Sequence, residues 1–499
     1  MKKIVYIAAA LVVFAACTKE KEAPTVNGEF TLTATMELPN DATKTAMSGT
    51  SVVWSGSEHI NVFTDAGENI EFSTTESGAS AIFATASVPT GTPEYAIYPY
   101  AAGNTIANTS EITFVLPETQ TYAAGSFGQD ANVSVGAIDG GTGTVTFYNT
   151  CGVLKLSLSI ASGDAANVGR IELTDENNML AGTFTADASL TAPTATYTGS
   201  DGSHTITLDC SAGSGVALST TATDFYIVVP AGACSSGFTA KVYSKQNHLI
   251  TTLSTVKDNT VARKTIMAMP PVADIPWLPA EYTECEYIQS SGTGTTAIST
   301  RFTPNQEFSL FMKVTLLEQI SNSYHAFFGA SGMPVDKRAW IRLRNADGPS
   351  YTGFENQWYD PGYAVSLGSY MPGPGPFQPY STFFTNNTDY EIEWVMKLNK
   401  RVTAFNGVKS TNVMDLTSSG LPCTQDTPIM LLCDGVSSYM RAKLYYCTIL
   451  DGSDAVVRNF IPAYDGEASR YGLYEVSETA LNPYTSTYFF GAPGDYTGN

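Results

Sequence analysis

Phe30-Thr31-Leu32-Thr33-Ala34-Thr35-Met36-Glu37-Leu38 alternates without a break, apolar at every even position and Thr or Glu at every odd one. A period of two places the five apolar side chains on one face of an extended strand, and such a face has to be covered. Towards the C-terminus, similar short runs follow at Ser51–Trp54, His59–Phe63, Tyr95–Tyr98 and Ile112–Leu116, fenced by Gly, Asn, Asp and Pro. Beyond the Gly-rich turn at 139–143 come Thr144–Tyr148, Val153–Ile160, Arg170–Leu173, Gly182–Thr185, Thr205–Leu208, Phe225–Val229 and Phe238–Tyr243. No stretch holds a clean 3.6-residue period over the roughly 12 residues a helix needs. Short strands with turn residues between them predict an all-β chain of packed sandwiches.

Towards the N-terminus the character changes. Lys2 and Lys3 precede an apolar run, Ile4 to Ala16, that is shorter than the roughly 20 residues of a membrane-spanning helix. Its length and charged start are those of a secretory signal. It closes on Phe14-Ala15-Ala16-Cys17, small residues before a cysteine, which resembles the bacterial lipobox, although Phe14 stands where Leu is usual. Residues 1–17 are therefore expected to be a lipoprotein signal peptide. Cys17 is the expected lipid attachment site, 18–27 a polar tether, and the outer membrane a partner through acyl chains. The net charge of −21 argues against nucleic acid as a partner. Of eight cysteines, seven remain once Cys17 is lipidated, an odd number with no CxxC spacing; buried free thiols and one or two bridges both fit.

Met269 to Pro279 holds four prolines in eleven residues and reads as a linker. The third block behind it contains strands at Phe308–Val314, Ala339–Leu343, Pro428–Leu432, Lys443–Leu450 and Val456–Ile461. A hairpin, Tyr390–Leu398 with Val402–Phe405, turns around Asn399-Lys400-Arg401.

The first two blocks resemble the fimbrillin family of pilins and accessory lipoproteins. The likeness runs in order through Lys44-Thr45, Val53-Trp54, Ile60–Phe63, Tyr95-Ala-Ile-Tyr-Pro-Tyr100, Leu116–Gln120, Phe147–Leu156, Phe225–Gly232 and Gly237–Val242. It implies two transthyretin-like β-sandwiches, 28–138 and 139–269, and partners that are other pilin subunits joined by strand addition. In that family a protease removes the first strand of polymerising subunits, after arginine in oral members. Here no arginine precedes Arg170, and only Lys19, Lys21 and Lys44 are basic near that strand, which sets a repeating shaft role in doubt. The third block, 280–499 after a linker at 270–279, resembles a laminin-G or concanavalin-like jelly roll in its opening, Leu278–Thr293, and its close, Val457–Pro462, Tyr471–Tyr474 and Tyr488–Phe490.

Together these readings imply a cell-surface lipoprotein of the fimbrium, a pilus tip or accessory adhesin whose last domain binds a glycan or host protein. The alternative is a non-polymerising lipoprotein that captures carbohydrate for uptake. Candidate ligand residues are Asn356, Trp358, Tyr359, Asp360 and Tyr363, in an aromatic stretch from Tyr351 to Phe384 where rings could stack on sugars. The same aromatics could simply pin a long loop. No enzyme is expected. Glu391-Ile-Glu393-Trp-Val-Met396 approaches a jelly-roll glycosidase strand, but Met396 stands where the acid/base carboxyl is needed, and the apolar alternation reads as core. His59, His204, His248 and His325 form no metal pattern, and no cofactor is expected; calcium, known in some laminin-G domains, has no assignable ligands.

Overall fold

The computed structural model describes residues 30–37, 54–107, 110–293, 296–304, 307–317, 324–331, 338–344, 353–358, 386–397, 400–405, 408–409, 427–435, 437–477, 489–490 and 494–498. Among them every regular element is a strand, as the alternation predicts.

Phe30–Met36 buries Leu32, Ala34 and Met36, the predicted face; Leu38 lies outside the described residues. The first sandwich is closed into a barrel of seven strands. Its order is Phe30–Met36, Thr144–Asn149, Ser134–Asp139, Pro93–Tyr98, His59–Thr64, Asn69–Ser73 and Ser80–Thr85. Closure depends on the first strand. It runs parallel to Thr144–Asn149, with Met36 opposite Phe147, and antiparallel to Ser80–Thr85, with Phe30 opposite Thr85. The core beneath it is aromatic: Trp54, Phe72, Phe83 and Phe147 are all fully buried.

In the second region Cys151–Ile160 pairs antiparallel with Thr223–Pro230 and, on its other side, parallel with Ile266–Ala268 and Val272–Ile275. This sheet covers a second one built from Thr205–Asp209, Ala166–Thr174, Phe238–Ser244 and Leu249–Thr255. Sheets cross the boundary expected at 138/139. Glu111–Leu116 pairs with Gly182–Asp187, and Thr119–Thr121 runs parallel to Thr205–Asp209. The two regions thereby share a core of Phe63, Ile97, Phe114, Phe184 and Val228.

The proline-rich stretch does join the second and third regions, but it is packed, not free. Val272 and Ile275 stand beside Leu158 and Ile160 in the ladder, and Trp277 and Leu278 are each 2% exposed. Asp164 accepts the Trp277 N–H at 2.8 Å. Proline forbids a donor only at its own position, and the Val272–Ile275 interval between prolines is long enough to pair.

The third region has an eleven-stranded and a five-stranded sheet around Trp394, Phe308, Phe328 and Met312. The expected hairpin forms with a tighter turn, since Lys400 and Arg401 already pair with Lys397 and Met396. Ile392, Trp394 and Met396 face the core and Glu391 is exposed. The apolar side chains Ile461, Ala463, Tyr474 and Val476 leave this core and join that of the second region. Six cysteines, Cys151, Cys210, Cys234, Cys285, Cys433 and Cys447, are buried free thiols; Cys17 and Cys423 lie outside the described residues. Burial pushes the Cys151 thiol up to about 12, so it is inert at neutral pH.

Candidate functional site

The first strand occupies a slot. Both of its sides are paired, residues 30–35 on one and 33–36 on the other, and its inward face rests on Trp54, whose indole N–H donates to the Ala34 carbonyl at 3.2 Å. Trp54 is itself held edge-on by Phe83, Tyr98 and Phe147 at centroid distances of 4.9, 5.4 and 5.7 Å. The turn leading away from Trp54 is tied by Glu58, whose carboxylate accepts from Ser55 N and Oγ, Gly56 N and Ser57 N. Burial pushes the Glu58 carboxyl up, but these hydrogen bonds outweigh it and hold it below its ordinary value. The floor and the strand form one cluster, in which Leu32, Ala34 and Met36 pack with Trp54, Phe83 and Phe147.

The slot ends in charge. Glu37 follows the strand and is almost wholly buried, with its side chain 6% exposed. Its Oε1 accepts from Arg263 at 2.5 Å and from Asn149 N and Nδ2 at 2.8 and 3.0 Å, and Oε2 lies 3.3 Å from Lys264 Nζ. Arg263 also donates to the Asn149 carbonyl at 3.0 Å. Both cations come from the turn Ala262–Thr265 of the second region. The alternation puts Glu37 on the polar face, where it reads as solvated; only the fold reveals that another region covers that face. Arg263-Lys264 is an unremarked basic pair in the sequence, and no local signal links it to Glu37.

A second opening lies in the second region. The ladder beside Cys151–Ile160 breaks between Ala268 and Val272, where Pro270 and Pro271 stand. Next to the break is a groove of about 410 Å³ lined by Leu156, Leu158, Phe238, Leu253, Met269 and Val272 among others. Leu249–Thr255, an edge strand, forms its far wall.

Of the residues expected to contact ligand, Asn356 and Trp358 stand two positions apart on Gly353–Trp358, an edge strand of the five-stranded sheet, in register with Ile341 and Ala339. Tyr359, Asp360 and Tyr363 lie outside the described residues, as does Cys17. Among the described residues no three His, Cys, Asp or Glu side chains converge as a metal would require.

No family model matches the chain, and no curated protein does. Solved structures overlap it faintly. A Bacteroides ovatus protein proposed to act in cell adhesion is 12% identical, with a TM-score of 0.30, covering 46% of this chain and 87% of that one. A fimbrial protein from the same species is 11% identical, at a TM-score of 0.23, covering 54% and 53%. Domains LG4–5 of the mouse laminin α1 chain are 11% identical, at 0.26, covering 69% and 88%. Overlaps this faint fix neither family nor function.

Proposed function

We propose that the chain is a fimbrillin-type surface lipoprotein, a pilus tip or accessory adhesin that joins its neighbours by strand addition and presents its third region to a glycan or host protein. The observation that carries this reading is the slot. A single strand sits between two others over an aromatic floor, so its departure would leave two unpaired edges and a row of apolar sockets. Such an opening favours another extended segment, because backbone donors and acceptors need partners and the sockets need alternate apolar side chains. Two further features support it: the lipobox-like ending at Cys17, and the in-order likeness of the first two blocks to fimbrillins. A third region packed against the second suits a head at the end of a fibre. It acts by binding, not by catalysis.

The test separates the two halves of the reading. The full chain, carrying an inserted site for a specific protease between Leu38 and Trp54, is cut and mixed with shaft pilins. Complexes that survive gel filtration are expected from cut protein and absent from uncut protein; a cut protein that stays monomeric with every pilin tested overturns the joining role and leaves the carbohydrate-capture reading. The glycan half is tested on an array with the whole mature chain. The isolated third region is unsuitable, since it would expose Ile461, Ala463, Tyr474 and Val476, which are covered by the second region. Binding that Trp358→Ala weakens at least about 10-fold is expected, a loss of the size seen when an aromatic anchor is truncated; no binding at all removes the adhesin half.

A further inference from the structure

Strand ladders do not discriminate between partners, because backbone donors and acceptors are the same in any extended segment, and apolar sockets select by size alone. The end of the slot is different. Around Glu37 four donors converge: the Arg263 guanidinium, the Lys264 ammonium, and the Asn149 N–H and side-chain amide. The cations are themselves largely covered, 18% and 13% exposed. They do not drift there by chance. Thr265 N–H and Oγ1 both donate to the Ala262 carbonyl, closing a turn, and Lys264 N–H donates to the Cys151 carbonyl at 2.9 Å. Lys264 sits at φ +60°, a left-handed conformation that costs a side-chain-bearing residue energy and that glycine would adopt freely. In that conformation its ammonium lies 3.3 Å from Glu37 Oε2. Asn149 is fixed in turn, its Oδ1 accepting from Asn132 and from Ser134 Oγ.

From this geometry, and resting on the strand-addition reading above, we infer that the slot selects its occupant by one carboxylate. The incoming strand must carry an acidic residue immediately after its last inward apolar side chain, in the place of Glu37, to close on Arg263 and Lys264. The register adds a second requirement. Ala34 is wholly buried against Trp54, so the inward position three residues before the acid must be small. The partner is thus an extended segment reading apolar, any, small, any, apolar, acidic. An occupant lacking the acid leaves two nearly covered cations without a counter-charge, which is far costlier than losing an exposed ion pair.

The probe is a synthetic peptide of residues 28–40, labelled with fluorescein, in its natural sequence and as Glu37→Gln. The acceptor is the full chain cut between Leu38 and Trp54, and incorporation is measured by anisotropy under a large excess of peptide that displaces the cut strand. The natural peptide is expected to bind at least about 10-fold more tightly than Glu37→Gln, as a charge-assisted hydrogen-bond set implies. On an acceptor carrying Arg263→Gln and Lys264→Gln the two peptides should come within about threefold of one another; the comparison on the unaltered acceptor stands even if that variant folds poorly. Equal binding of both peptides to the unaltered acceptor overturns the inference and leaves strand addition intact. Incorporation of neither peptide overturns the strand-addition reading, and the inference with it.

Discussion

Two of the seams in this molecule are built on opposite principles. At the first strand, contact is a pair of ladders, three small-to-medium apolar side chains and one charged clasp. Between the second and third regions, contact is a continuous apolar core with Trp277, Leu278, Ile461 and Tyr474 in it, edged by a few polar bonds. Among these, Glu284 accepts from Ser244 Oγ and pairs with His248, each at 2.6 Å, and Asn459 reaches the Leu249 carbonyl. The first seam can part as one unit along two edges, because nearly all it holds is a single segment. The second cannot part without exposing side chains from both of its faces. If the proposed strand addition holds, exchange belongs to the first seam and rigidity to the second.

The largest effect is expected at the rigid seam. Trp277→Ala should lower stability by about 3–5 kcal/mol, the usual cost of emptying a buried aromatic site, and calorimetry should show the second and third regions melting together. If they melt separately in the unaltered chain, the seam is not a shared core and the contrast fails. At the exchangeable seam, Glu37→Gln should cost about 2–3 kcal/mol, since it strands covered cations. Hydrogen exchange should quicken in Phe30–Met36 while Phe308–Leu316 stays protected. Uniform quickening throughout the chain would show that the clasp does not act locally.

Smaller is the effect of Glu58→Gln, about 1 kcal/mol at neutral pH from hydrogen bonds in the turn beside Trp54. Because its carboxyl is held below the ordinary 4.5, the stabilisation is complete above that pH and is lost as pH falls through the depressed value. The variant and the parent should therefore converge in acid; a gap that persists in strong acid would place the effect elsewhere. Val256→Thr should change stability by less than about 0.5 kcal/mol, since Val256 is 92% exposed beside the edge strand Leu249–Thr255.

What could be read in advance follows the range of the physics. The alternation from Phe30 to Leu38 is local, and the buried Leu32, Ala34 and Met36 follow it. The same holds for Ile392, Trp394 and Met396 and for the hairpin that follows them. What escaped is non-local. Glu37 meets Arg263 across 226 positions, and Glu111–Leu116 pairs with a strand of the next region. No window of sequence contains both partners of either contact. The prolines of 269–279 carried a correct local statement, no ladder donor at each, that was extended too far along the chain. Of the expected ligand residues only Asn356 and Trp358 stand on a described strand, and the reading of that stretch as a ligand face rests on composition alone.

The most direct measurement is the N-terminus of the protein in its assembled state. Fibres or adhesin complexes sheared from cells should yield, by mass spectrometry, a chain that begins between Leu38 and Trp54 and lacks Phe30–Met36, while the unassembled pool begins at an acylated Cys17. Assembled protein that still carries Phe30–Met36 in its own slot would contradict the account.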